Sequence, residues 1–256
     1  MKRLLLIDGN AILHRAFHAY PPFTDKDGNP TNAIYGFFAM LLKLLEEVLP
    51  DYVVICFDKG APTFRMTMYA GYHANRPKMK DGLVSQVPIL HRALEAIGIP
   101  IFGVNGYEAD DLLGTLSTQA TEQKLETIIV TGDRDLLQLI NNRVKILMPL
   151  VGITKTMLFD EKRVEEKYGI KPSQIIDYKA LVGDASDNYP GVSGIGPKSA
   201  SDLLQKYQTL ENLYKHIGEL PAQLGEKLAI DAEQASLCKT LATIRLDAPV
   251  HLKIED

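Results

Sequence analysis

The sequence has little cysteine and no long hydrophobic run, and each of these absences excludes a class of protein. Its 256 residues include two cysteines, Cys56 in an apolar stretch and Cys238 far from it, which argues against a disulfide framework or a zinc site. The apolar run near the start ends at Asp8, too early for a signal peptide. No stretch approaches the roughly 20 apolar residues of a membrane-spanning helix. We therefore expect a reduced, soluble, cytoplasmic protein.

The sequence also lacks an excess of positive charge. The net charge is −4 and the pI is about 5.9, so there is no overall basic field of the kind that accompanies nucleic-acid binding. Any such binding must be local. No G-x-G-x-x-G motif follows the first predicted strand, which argues against a nicotinamide-dependent enzyme. A hydrophobic fraction of 46% is sufficient for one large domain, or for one domain with a smaller appendage.

Short apolar runs alternate with helical patterns over the first 150 residues or so. The runs cover residues 4–7, 52–57, 99–104, 127–131 and 144–148. A leucine-rich helical stretch over 32–49 separates the first two. Strands that alternate with helices predict βαβ units and a parallel sheet. After about Glu161 this pattern stops, and short helical segments follow.

Acidic residues follow the ends of four of these runs. They are Asp8, Asp58, Glu108, Asp110, Asp111, Asp133 and Asp135. Ligands of open α/β sheets bind outside the carboxyl ends of the strands, so we expect these side chains to share one rim. Crowded carboxylates require a counter-ion, and oxygen ligands favour Mg²⁺ or Mn²⁺. Alternatively, individual acids are turn residues, or the acids near Glu108 stabilise the start of a helix through its dipole. The spacing of Ala109, Leu112, Leu113 and Leu116 predicts the face of that helix that packs in the core.

The stretch from Lys59 to Lys80 differs in composition from the rest of the chain. It contains five basic residues and three aromatic residues but no Asp or Glu; these are Lys59, Arg65, Arg76, Lys78 and Lys80, with Phe64, Tyr69 and Tyr72. Basic and stacking groups together are typical of sites for single-stranded nucleic acid. The stretch is also long for a strand-to-helix connection. A solvated basic surface loop is the alternative interpretation.

A glycine-rich region lies in the helical part of the chain. An acidic loop over 183–188 precedes the segment Gly191-Val192-Ser193-Gly194-Ile195-Gly196-Pro197-Lys198-Ser199-Ala200. Pro197 suits a first helical turn, and the backbone N–H groups of such a hairpin can approach a phosphate. The hairpin would thus bind duplex DNA without reading its sequence. A chance glycine-rich turn is the alternative.

These motifs together resemble the 5′-nuclease domain of bacterial DNA polymerase I and its stand-alone flap-endonuclease relatives. The resemblance rests on residues 6–10, 57–58, 64–65, 72–77, 106–111, 131–135 and 183–191. It implies a PIN-like parallel-sheet α/β nuclease core and a flexible helical arch over the site. It also implies a C-terminal, SAM-like helix-hairpin-helix domain that binds duplex DNA and often K⁺. We expect the core over residues 1–160, with the arch at about 59–82, and the duplex-binding domain over 161–256.

The resemblance also implies a role for individual residues. The metal ligands would be Asp8, Asp58, Glu108, Asp110, Asp111, Asp133, Asp135, Asp184 and Asp187. Tyr72 and Arg76 of the arch would engage a neighbouring base and the scissile phosphate, and His73 stands where the family usually has lysine. Because an imidazole is mostly neutral at pH 7, slower or acid-favoured turnover is expected. DNA contacts would come from Arg15, Arg65, Gly191, Gly194, Gly196 and Lys198.

The leading hypothesis is therefore a 5′-3′ exonuclease or 5′ flap endonuclease that uses two or more Mg²⁺ ions, with Mn²⁺ as a substitute. Its expected substrates are DNA 5′ ends, flaps and nicks. We expect a monomer that couples to a DNA polymerase only in trans. Two alternatives stay open: a structure-specific DNA-binding protein with weak cleavage, and a PIN-type ribonuclease.

Overall fold

A computed structural model describes residues 2–151 and 155–254 and has a mixed α/β architecture. The strands are β1 (Arg3–Asp8), β2 (Tyr52–Cys56), β3 (Ile101–Phe102), β4 (Glu126–Val130), β5 (Val144–Val151) and β6 (Lys155–Phe159). They form one sheet in the order β3-β2-β1-β4-β5-β6. The first five strands run parallel, and β6 pairs antiparallel with β5. The predicted parallel-sheet core is thus confirmed.

The first strand lies in the middle of the sheet and is buried on both faces. Leu5 lies opposite Val53 of β2. Leu4 and Leu6 pack into the hydrophobic cluster on one face, whereas Leu5 and Ile7 pack into the cluster on the other. Because successive side chains of a strand point to opposite faces, burial of both faces requires the uninterrupted apolar run that the sequence contains.

Helices cover both faces of the sheet. The first six are α1 (Gly9–Ala19), α2 (Asn32–Val48), α3 (Phe64–Met68), α4 (Asp81–Val84), α5 (Val87–Ala96) and α6 (Ala109–Glu122). Residues of α1, α2 and α5 pack on one face, and α6 packs on the other. The predicted core stripe of α6 is confirmed, since Ala109, Leu112, Leu113 and Leu116 are all buried. The sheet thus directs the first turn of α6 toward the carboxyl ends of β1 and β2.

The C-terminal part of the described chain is helical. Its helices are α7 (Glu161–Tyr168), α8 (Ile175–Val182), α9 (Pro197–Tyr207), α10 (Leu210–Lys215), α11 (Ala222–Ile230) and α12 (Ala232–Ala242). Pro197 begins α9, as predicted. After α12 the chain returns along α6, where the side chain of Gln119 hydrogen-bonds the backbone of Val250 and Leu252 at 2.8 and 2.7 Å. Both parts of the chain share one hydrophobic cluster.

Two features differ from the sequence expectation. Strand β6 was not predicted, because most of its side chains are exposed or half-buried and it shows no apolar run. In the basic segment over 59–82, the short helix α3 is followed by turns over 70–75 and by irregular residues over 76–80, and α4 begins at Asp81. Among the residues described, no helix is both long and apolar enough to cross a membrane.

Candidate metal centre and nucleic-acid interface

Two of the predicted acids meet beside the first turn of α6. Asp8 ends β1 and caps α1, since its Oδ1 accepts the N–H of Ala11 at 2.9 Å. Its Oδ2 accepts the hydroxyl of Thr131 at 2.9 Å. Asp58 follows β2, and its Oδ1 accepts the N–H of Ala109 at 2.7 Å. The parallel register of β1 and β2 is therefore what brings these two carboxylates to the same edge.

The carboxylates of Asp8, Asp58, Asp110 and Asp133 form a first acidic group. Burial, with smaller contributions from the charges of Asp58 and Asp133, raises the pKa of Asp8 to about 7. Burial also raises the pKa of Asp110 well above its ordinary value, and the charges of Asp133 and Asp8 add to this. The pKa of Asp133 is raised chiefly by burial as well. Repulsion of this kind is relieved by a bound cation.

Asp135, Asp184 and Asp187 form a second acidic group. One oxygen atom from each carboxylate lies within 4.8 Å of the others. Lys179 of α8 pairs with both Asp135 and Asp184. Burial raises the pKa of Asp135 to about 7. Burial also acts to raise the pKa of Asp184, but the hydrogen bonds from Lys179 and Ser186 and the charge of Lys179 together lower it to about 2. The charges of Asp187 and Asp184 also act on Asp133, so the two groups are neighbours.

Arg65 and Asp111 pair with each other rather than belonging to either acidic group, and their positions correct two expectations. The side chain of Arg65 is 3% exposed and that of Asp111 is 0% exposed. The guanidinium of Arg65 donates to both carboxylate oxygens of Asp111, at 2.8 and 2.9 Å. It also donates to Glu108 and to the carbonyls of Leu241 and Thr243. Arg65 has no donor left for DNA, and Asp111 has no exposed oxygen for a metal ion.

Glu108 contacts Arg65 of this buried pair and also Tyr72, which lies further along the basic segment over 59–82. Its Oε1 accepts the hydroxyl of Thr63 at 2.8 Å, and its Oε2 accepts Arg65 and the hydroxyl of Tyr72, each at 3.1 Å. Burial raises the pKa of Glu108, although the charge of Arg65 opposes the shift. Tyr72 is itself buried. The expectation that Tyr72 contacts a base therefore does not agree with its position.

The arch segment touches the second acidic group through His73. The ring Nε2 of His73 lies 3.0 Å from Oδ1 of Asp187, and its backbone N–H donates to the carbonyl of Asp187 at 3.1 Å. Arg76 is exposed, and its charge is among those that, after burial, lower the pKa of His14 on α1. Arg76 thus faces α1, where Arg15 is half-buried.

The glycine-rich hairpin differs from its predicted form at one position. Gly194, Gly196 and Lys198 are exposed, so their backbone and side-chain groups can reach a ligand. Gly191 is buried with a φ of 68°, and a Cβ there would overlap the backbone of Gly183. Gly191 therefore permits close packing of the hairpin on the protein, and the expectation that it contacts DNA does not agree with its burial.

Three residues that sequence reasoning missed position the acids. Lys179 pairs with acids of the second group, Thr131 donates to Asp8, and Asn10 accepts the backbone N–H of Asp58 at 2.9 Å. Asn10 and Thr131 lie inside motifs that already stood out, whereas nothing in the pattern around Lys179 marks it. The atoms of both acidic groups that could bind a metal ion are all carboxylate oxygens, and such ligands suit hard divalent cations.

Comparison with known proteins supplies the family. Residues 3–169 match the family model described as 5′-3′ exonuclease, N-terminal resolvase-like domain. Residues 170–256 match the model described as 5′-3′ exonuclease, C-terminal SAM fold. DNA polymerase I of Caldicellulosiruptor bescii is 46% identical over 256 residues, and the match covers 99% of this chain. For DNA polymerase I of Bacillus caldotenax these values are 43%, 256 residues and 100%. The chain spans only 30% and 29% of these two relatives.

Solved structures share the fold at low sequence identity. A bacteriophage T5 flap endonuclease complex with DNA and metal ions aligns with a TM-score of 0.77 at 20% identity, over 94% of this chain and 89% of that one. The catalytic core of Rad2 in complex with DNA substrate aligns with a TM-score of 0.61 at 19% identity, over 94% and 78%. Together with the two family models that match along its length, this fold identifies the chain as a member of the 5′-3′ exonuclease family of nucleases.

Proposed function

We propose that this chain is a divalent-metal-dependent 5′-3′ exonuclease and structure-specific 5′ flap endonuclease that hydrolyses DNA. The observation that carries the proposal is the pair of neighbouring acidic groups, the second of which brings one oxygen from each of three carboxylates within 4.8 Å of the others. Burial and neighbouring carboxylates raise the pKa of each of Asp8, Asp110 and Asp133. Because a bound cation would stabilise the charged form of these groups, their arrangement favours a cation site. The DNA in the T5 and Rad2 complexes supports DNA as the substrate.

The two acidic groups would hold the metal ions. The first group comprises Asp8, Asp58, Asp110 and Asp133, and the second comprises Asp135, Asp184 and Asp187. We favour Mg²⁺, with Mn²⁺ as a substitute, because carboxylate oxygens suit these ions better than zinc. When bound, such ions supply Lewis-acid activation of water and of the phosphate. Glu108 borders the groups, with 15% of its side chain exposed.

The chain's own residues would bind and orient the DNA. Arg76 is exposed and would offset the negative charge that develops on the scissile phosphate. The hairpin with Gly194, Gly196 and Lys198 would hold the duplex backbone, so that only the junction reaches the acids. Backbone carbonyls of the same hairpin would bind K⁺. Hydrolysis would leave a 5′-phosphate and a 3′-hydroxyl.

Cleavage of a 5′-labelled flap duplex, with and without Mg²⁺, tests the proposal. The same assay includes single-stranded RNA as substrate and the variant Asp133→Ala. We expect metal-dependent cutting near the flap junction that the variant abolishes. Tight flap binding without cutting in either Mg²⁺ or Mn²⁺ would instead support a structure-specific DNA-binding protein. Preferential RNA cutting would support a PIN-type ribonuclease, which leaves the duplex-binding hairpin without a role.

The binding-protein alternative has one specific observation in its favour. His73 replaces the lysine that the family usually has, and its ring contacts Asp187 of the second acidic group. A weaker phosphate contact would slow cleavage without affecting duplex binding at the hairpin. Comparing the single-turnover rate with the dissociation constant for the same flap substrate separates these two effects.

The remaining proposals concern organisation and partners. We propose a monomer in the cytoplasm that acts on DNA 5′ ends, flaps and nicks in concert with DNA polymerase activity. We also propose a nuclease core over residues 1–160 and a duplex-binding domain over 161–256. Sedimentation of the pure protein tests whether it is a monomer. Separate expression of residues 1–160 and 161–256 tests the division into two domains.

A further inference from the structure

The backbone N–H groups of the hairpin divide into bonded and unbonded ones. The N–H of Val192 donates to a carbonyl of α8 at 2.8 Å, and that of Ile195 donates to Val192 at 3.1 Å. Within the ranges 2–151 and 155–254, the N–H groups of Gly194 and Gly196 have no hydrogen-bond partner. Both glycines are exposed. These two groups are therefore available to a phosphate.

The N–H of Ser193 is held by a carboxylate from outside the motif. It donates to Oδ2 of Asp231 at 2.7 Å, across 38 residues of sequence. Asp231 stands at the N-cap of α12, yet its side chain does not cap that helix. One turn later, the side chain of Gln234 donates to the carbonyl of Gly191. The start of α12 thus holds the hairpin at two backbone positions.

We propose that Asp231 is a positioning residue of the DNA-binding hairpin and that its negative charge limits the affinity of the hairpin for DNA. This inference rests on the proposed function. Holding the N–H of Ser193 fixes the Val192–Ser193 peptide, one residue before the unbonded N–H of Gly194, and so limits the orientations open to that N–H before DNA arrives. The same carboxylate lies beside the position of a bound phosphate and repels it.

The ionised state of Asp231 follows from its surroundings. The backbone N–H of Ser193, and then its hydroxyl, lower the pKa of Asp231 below its ordinary value. The amine of Lys227, one turn earlier in α11, lies beside Gly194, 2.8 Å from where a Cβ of that residue would stand. The carboxylate of Asp231 therefore lies beside the N–H of Ser193, and the amine of Lys227 lies beside Gly194.

Two substitutions in the full chain separate the effect of the hydrogen bond between Ser193 and Asp231 from the effect of the charge of Asp231. Asp231→Asn removes the charge but keeps an oxygen that can accept the N–H of Ser193. Asp231→Ala removes both. Because the two variants carry the same charge, any difference between them reports the hydrogen bond. The difference between the wild type and Asp231→Asn reports the charge.

The measurement is the dissociation constant for a 5′ flap duplex, in Ca²⁺ or EDTA so that no cutting occurs. We expect Asp231→Asn to bind roughly threefold more tightly than wild type at low salt, with the difference lost near 0.5 M salt because the charge is screened. Asp231→Ala should bind about tenfold more weakly than Asp231→Asn. A general structural role would not predict tighter binding by Asp231→Asn than by the wild type.

The inference is overturned if the two variants bind equally, or if the wild type binds at least as tightly as Asp231→Asn at low salt. If Asp231→Ala unfolds, protection of the Ser193 amide from hydrogen exchange in Asp231→Asn and wild type tests the positioning directly, and equally poor protection in both overturns it. Lys198→Ala is the control for the hairpin. If this variant also binds DNA normally, the proposed DNA-binding role of the hairpin fails; if only the Asp231 variants behave normally, this inference alone fails.

Discussion

Arg65 and Asp111 form a buried, two-pronged ion pair that joins the start of the arch segment to the first turn of α6. The two N–O distances are 2.8 and 2.9 Å, and both side chains are buried. The same guanidinium donates to backbone carbonyls after and within α12. One arginine therefore connects the basic segment over 59–82, the first turn of α6 and the C-terminal helices, and only 3% of its side chain is exposed.

Arg65→Ala should destabilise the protein strongly. The substitution leaves the carboxylate of Asp111 buried without its partner, a loss of about 3–5 kcal/mol in the free energy of unfolding. Urea denaturation measures this. Arg76→Ala is the matched control, because its side chain is exposed; its stability should change by less than about 0.5 kcal/mol while cleavage falls. An Arg65→Ala protein of normal stability that binds DNA weakly would return Arg65 to the role of a DNA contact.

Asp110→Asn should abolish cleavage and yet stabilise the metal-free protein at pH 8. Its carboxylate is destabilised by burial and by the charges of Asp133 and Asp8, so a neutral amide relieves the repulsion. We expect cleavage to fall by roughly a thousandfold through loss of a metal ligand and the melting temperature in EDTA to rise. Asp202→Asn, an exposed acid of α9, should change neither quantity. A lower melting temperature of Asp110→Asn in EDTA would contradict this account.

The stability of the metal-free protein should fall as the pH rises from about 4 to about 7. The pKa values of Asp8 and Asp135 are raised from 3.8 to about 7. The folded state therefore binds more protons than the unfolded state in this interval, and its stability decreases with pH. Thermal unfolding in EDTA at pH 5 and pH 8 measures the effect for these groups. Added Mg²⁺ should raise the melting temperature more at pH 8 than at pH 5, and an equal rise at both would count against metal binding by these acids.

His73→Lys should increase the rate of flap cleavage at pH 8 several-fold. The lysine amine carries a full positive charge at this pH, so the variant supplies a stronger contact to the substrate phosphate. The single-turnover rate between pH 6 and pH 9 measures the change. His73→Gln is the control for loss of the ring contact to Asp187. If His73→Lys cleaves no faster than wild type, the imidazole already meets the requirement of the reaction.

Much of the site could be predicted from local patterns. The strands β1, β2 and β4 were recognisable because burial of both sheet faces leaves an uninterrupted apolar run, and each run ends near an acid. Parallel strands bring their carboxyl ends to one edge, so Asp8, Asp58 and Asp133 could be expected together before any coordinates were known. The start of α9 at Pro197 was equally local, since a proline suits the first helical turn.

By itself, then, the sequence determined the alternation of strands and helices in the first part of the chain, the edge at which the acids collect and the family. Only the tertiary structure decided which charged groups stay available to a ligand. Arg65 and Arg76 look alike in the sequence, but one is enclosed by partners that lie 46 and 176 residues away and the other is exposed. Lys179 and Asp231 were likewise unmarked. A side chain's partners are set by packing between distant segments, and no local period or motif encodes that.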